Sequence, residues 1–130
     1  MIFEDGNQLR DFTHVSDIVA ACARVLGTDA ADGLAINAGR GHPASVRTIA
    51  QLIARGLGAD IEPDVLGNFR AGDIRHCYAD VTKARETIGA TGEVELEDGL
   101  AELAEWLVTQ TAIDFVDEAT AALHARGLAR

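Results

Sequence analysis

Two arginines stand in short loops, each close to a glycine and an aspartate, sixty residues apart in an acidic chain. The first lies in Gly6-Asn7-Gln8-Leu9-Arg10-Asp11-Phe12-Thr13-His14-Val15-Ser16-Asp17. The second opens Arg70-Ala71-Gly72-Asp73-Ile74-Arg75-His76-Cys77-Tyr78-Ala79-Asp80. A guanidinium fork matches phosphate oxygens bidentately, so Arg10 and Arg70 together suit a diphosphate gripped from two sides. The same residues also suit plain surface pairing, Arg10 with Asp11 or Asp17 and Arg70 with Asp73, at about 0–1 kcal/mol per pair. Asp73 can accept from sugar hydroxyls or simply form a turn. Phe3, the aromatic nearest Arg10, can stack on a base or pack in the core.

The rest of the composition narrows the classes. With 11 basic and 21 acidic residues the formal charge is −10, which argues against nucleic acid and anionic membranes as partners. The same field opposes an anionic ligand, so arginines that bind one must act locally, within a screening length of about 8–10 Å. No apolar run approaches the ~20 residues of a membrane span, and no secretion signal is visible, which implies a cytoplasmic protein. Cys22 and Cys77 have no second ligand at metal spacing. They read as a small buried helix residue and a strand residue in a reducing compartment. His14, His42, His76 and His124 share no face, so no metal site is expected.

The elements that must carry these residues form a mixed α/β (α+β) domain of about five helices and four short strands. Phe12–Val15 reads as a strand, and Ser16 as the cap of a helix striped by Ile18, Val19, Cys22, Val25 and Leu26 that ends at Gly27. Leu34–Asn37 reads as a strand apolar on both faces, hence covered on each side. Ser45 caps the cleanest amphipathic helix, with Val46, Ile49, Ala50, Ile53 and Leu57 inward. Ile61–Leu66 is strand-like, with Pro63 at an edge or bend. Asp80 caps a short helix ending at Gly89. Leu96 to Thr109 is a helix with Leu100, Leu103, Ala104 and Leu107 inward and Trp106 partly buried. An alanine-rich helix over 113–125 closes the chain.

Three motifs in order, G-x-Q-x-R-D-F-x-H-V-x-D, Asn37-Ala38-Gly39-Arg40-Gly41 and R-x-G-D-x-R-H-x-x-A-D, resemble the extended short-chain dehydrogenase/reductase family. Within it they are similar to the NAD-dependent nucleotide-sugar epimerases and dehydratases, UDP-glucose 4-epimerase-like or dTDP-L-rhamnose 4-epimerase-like. The resemblance covers Ile2 to about Leu107 and implies the C-terminal, substrate-binding part of such an enzyme. It implies a nucleotide-sugar-binding domain over residues 1–110 and a helical tail over 111–130. By the same resemblance Arg10 and Arg70 hold the diphosphate of a UDP- or dTDP-sugar and Asp73 its ribose, with Phe3 near the base.

Two family features are not found. No glycine-rich turn follows a strand to seat a dinucleotide pyrophosphate on a helix N-terminus. Nor is there a catalytic tyrosine with a lysine four residues on: Tyr78 and Lys83 are five apart and lie in the second arginine motif and just after it. The expectation is a chain that binds no NAD and has no catalytic residues of its own, and that forms a homodimer or joins a partner chain. A non-catalytic interaction module that keeps the fold without the ligand is the alternative.

Overall fold

The computed structural model describes residues 1–90 and 92–129. Three two-residue strands, β1 (Leu9–Arg10), β2 (Ala44–Ser45) and β3 (His76–Cys77), form one small sheet in the order β2-β1-β3. β1 runs antiparallel to β2, with Leu9 opposite Ser45 and Arg10 opposite Ala44. It runs parallel to β3, with Leu9 opposite His76 and Arg10 opposite Cys77. The two arginine motifs are therefore neighbouring strands.

The described residues also form five α-helices: α1 (Val15–Leu26), α2 (Val46–Gly56), α3 (Thr82–Ile88), α4 (Leu96–Leu107) and α5 (Val116–Ala125), of which α2 packs against β2. The Ser45 side chain accepts the Thr48 amide at 3.0 Å, satisfying one free donor at the start of α2. The Asp80 carboxylate accepts the Thr82 amide at 3.0 Å at the start of α3, which ends at Gly89. α2 and α4 pack closely enough that a Cβ on Gly56 would lie 3.0 Å from the Ala104 methyl. A second cluster joins α1 to α3 through Ala21, Ala84 and Ala90, with Ile36 and Ile88 against them.

Several sequence expectations need correction. Phe12–Val15 is not a strand; the ladder lies earlier, at Leu9–Arg10, and Val15 already begins α1. The cap of α1 is His14, whose ring accepts the Ser16 amide at 3.3 Å, rather than Ser16 itself. Leu34–Asn37 joins no ladder among the described residues. Side chains hold it instead: Lys83 Nζ donates to Ala35 O at 3.0 Å and the Asn37 amide to Asp80 O at 3.3 Å. Of Ile61–Leu66 only Val65 pairs, in a single parallel bridge with Ile2. The sheet thus has three strands where four were expected, because these segments have no neighbouring strand to bond along their length.

Cys22 is exposed, since α1 turns Ala21 inward and the next residue is about 100° round the helix. Trp106 is 56% exposed for a similar reason, two residues past the inward Ala104. No described helix is long and apolar enough to cross a membrane.

Candidate functional site

Three of the four residues singled out from the sequence come together. The Arg70 guanidinium lies over the Phe3 ring, 4.9 Å from its centroid, within the range of a cation–π contact. The same group donates from Nε and Nη2 to Asp73 Oδ2, both at 2.8 Å. The pair is partly exposed, with 46% of the Arg70 side chain and 34% of the Asp73 side chain open to solvent. The local pairing weighed for Arg70 is thus present, and the same geometry holds the guanidinium beside an aromatic face.

Arg10 is tied differently. It pairs with neither Asp11 nor Asp17. Its guanidinium donates to Leu9 O at 2.9 Å, Arg75 O at 3.0 Å and Ile74 O at 2.6 Å. It thereby reaches from β1 to the backbone just beyond Asp73. Arg75 caps the arrangement: it forks onto both oxygens of Asp5 at 2.7 Å and also pairs with Glu4. That fork, with the Asn7 amide, holds the Asp5 carboxyl well below the usual carboxylate range and pushes the Arg75 guanidinium above its own.

Sequence reasoning missed the residues that hold this frame. Gln8 is buried, and its side-chain amide donates to Phe3 O at 2.7 Å, fixing the segment that carries the aromatic. Asp11 is a junction rather than an arginine partner. Its carboxylate accepts the amides of Arg40 at 3.1 Å, Gly41 at 3.0 Å and Ala79 at 3.3 Å, and the Thr13 hydroxyl at 3.2 Å. Glycine at position 39 leaves room for this contact. A Cβ at Gly39 would stand 2.6 Å from Asp11 Oδ2, and Gly41 adopts a left-handed φ of 72°. Asp17 likewise accepts the Glu93 and Val94 amides at 3.1 and 3.3 Å. An aspartate directly after Arg10 was the available signal, but sequence spacing cannot say which distant amides it meets.

The same geometry tests the glycine loop as a dinucleotide seat. The amides of Arg40 and Gly41, which would face a pyrophosphate, already point at the Asp11 carboxylate. An anion of the protein occupies the position, so the residues present do not fit that group. Among the described residues no three His, Cys, Asp or Glu side chains are placed to hold a metal.

A roomy cavity lies elsewhere. An open groove of about 580 Å3 runs between the β1–α1 connection and α4. Its walls are mainly apolar, including Phe12, Val15, Leu100, Leu103 and Trp106, and His14 pairs with Glu102 across it at 3.4 Å. Neither Arg10 nor Arg70 lines it.

Comparison with known proteins matches residues 1–39 to the NAD dependent epimerase/dehydratase family. The chain is 33% identical over 109 residues to a dTDP-L-rhamnose 4-epimerase of Burkholderia thailandensis, covering 84% of this chain and 30% of that protein. It is 38% identical over 105 residues to a UDP-glucose 4-epimerase of Mycolicibacterium smegmatis, covering 81% and 33%. The crystal structure of a UDP-glucose 4-epimerase with UDP-glucose from Thermotoga maritima superposes with a TM-score of 0.75 at 33% identity, over 83% of this chain and 34% of that one. The chain therefore spans about a third of the length of the relatives it matches. Motif order, fold and similarity agree, and the chain belongs to the NAD-dependent epimerase/dehydratase family.

Proposed function

We propose that this chain binds the nucleoside diphosphate part of a UDP- or dTDP-sugar and is the substrate-binding region, over residues 1–110, of such an epimerase. The observation that carries this reading is the cluster of Phe3, Arg70 and Asp73, with Arg10 anchored to the backbone that follows it. A diphosphate offers Arg70 a doubly charged partner in place of the single Asp73 carboxylate. Asp73, released from that pair, accepts from the ribose hydroxyls. Arg10 supplies the second positive charge, and Phe3 lies close enough to Arg70 to meet the base. The chain alone binds no NAD and performs no epimerisation, since Asp11 fills the glycine loop and no tyrosine–lysine pair at family spacing is present.

A thermal-shift and calorimetric panel of UDP, dTDP, UDP-glucose, dTDP-rhamnose and NAD tests this, because a ligand of the folded form must raise its stability. The nucleoside diphosphates should bind and NAD should not. Charge-assisted phosphate contacts are worth about 1.5–3 kcal/mol each, so Arg70→Ala should weaken UDP binding by roughly ten- to a hundred-fold. Equal binding by the variant would remove Arg70 from the clamp, and saturable NAD binding would overturn the cofactor reading.

One further observation favours assembly. α1 leaves an outer stripe uncovered, with Val15, Val19 and Leu26 at 69%, 62% and 89% exposure and Cys22 between them. These positions follow one helical face. We read this face as buried in a homodimer or against a partner chain, which sedimentation of the purified chain decides.

A further inference from the structure

α5 is anomalous as a piece of packing: it contains no buried residue, yet Leu128 and Ala129, a few residues past its end, are bonded to a distant segment. Its C-terminus is closed by a double turn in which Gly127 N donates to His124 O and Leu128 N to Leu123 O, each at 2.9 Å. That pattern requires a left-handed residue, and Gly127 supplies it with a φ of 65°. The reversal aims Leu128 and Ala129 at the Arg70 turn. Ala71 N donates to Leu128 O at 2.7 Å, Arg70 and Ala129 form an antiparallel bridge, and Ala129 is only 6% exposed. Within the turn itself the one main-chain bond recorded is Asp73 N to Arg70 O at 3.2 Å. Among the described residues, the Leu128 carbonyl is therefore the main-chain partner that ties Phe69–Asp73 to another element.

We propose that Gly127–Ala129 is a positioning strap for the Arg70–Asp73 turn, with α5 as the arm that carries it. Fixing the turn in advance removes ordering that binding would otherwise have to supply, so the strap raises affinity without touching the ligand. This rests on the reading of Arg70 and Asp73 as the nucleotide site, and makes the tail part of it rather than an appendage.

The test uses the full chain with Gly127→Val, which disfavours the left-handed turn but meets nothing within 4 Å, and Ala129→Glu, which places a charge at a buried position. Two readouts are taken: hydrogen exchange at the Ala71 amide, and UDP affinity by calorimetry. Faster Ala71 exchange with UDP binding weakened by about five- to tenfold supports the strap. Unchanged exchange in both variants overturns it, and so does faster exchange with unchanged or tighter UDP binding. Should the parent chain bind no UDP, the nucleotide reading fails by itself, and faster Ala71 exchange still assigns the strap to the turn.

Discussion

The Arg10 guanidinium bonds to Ile74 O and Arg75 O and so joins the two arginine motifs. Arg70 has only an exposed pair and an aromatic neighbour. Urea unfolding should therefore show Arg10→Ala losing about 1–2 kcal/mol, because charged groups bonded to carbonyls contribute more than neutral ones. Arg70→Ala should stay within about 0.5 kcal/mol of the parent. Equal losses would mean that the Arg10 contacts add nothing to the fold. Asp5 offers a second check at this scale. Its folded carboxyl titrates below the ordinary value of 3.8 because Arg75 forks onto it. A depressed folded value means stability that is present above pH 3.8 and is lost as pH falls towards the folded value. Acid unfolding of Asp5→Asn should accordingly show a shallower loss below about pH 4 than the parent. An identical acid limb would show that the fork does not contribute.

Among the elements, α2 and α4 pack tightly at Gly56 and Ala104, and small residues are what allow it. Gly56 and Ala104 leave no room between them, so Ala104→Leu should cost about 1–3 kcal/mol by overpacking, read as a lower midpoint in urea. An unchanged midpoint would mean that the pair is looser than it appears. α2 was legible in the sequence because its signals are local: Ser45 caps it and Ile49 of its apolar stripe is buried, although Ala54, outside that stripe, is buried too and Leu57, within it, is exposed. α3 was legible from the Asp80 turn before it and its glycine stop at Gly89, α4 from its apolar stripe, and α5 from its alanine-rich run. The strands were not. A β-branched run such as Phe12–Val15 states only that the chain can extend, whereas a ladder needs a partner that sequence does not name. Two-residue strands are also too short to show alternation. The candidate site was half legible: residue types pointed to Arg10, Arg70, Asp73 and Phe3, but Gln8 acts through the Phe3 carbonyl and Asp11 through amides as far off as Ala79, 68 residues away.

For the molecule as a whole, the uncovered face of α1 predicts association. Sedimentation at high micromolar concentration should show a dimer or larger species, and Val19→Glu or Leu26→Lys on the outer stripe should shift it towards monomer. A parent chain that sediments as a monomer throughout would sink the idea. The composition of the core has a separate consequence. Among the described residues, seven of the ten buried hydrophobic ones are alanines: Ala21, Ala31, Ala54, Ala84, Ala90, Ala104 and Ala129. Truncation to alanine, the usual way of ranking core positions, is silent at all seven. The mutational profile of this chain should run in reverse, with the sharpest losses on enlarging small residues and mild ones on shortening large exposed ones. Scanning with valine or leucine, rather than alanine, is the experiment that would map its interior.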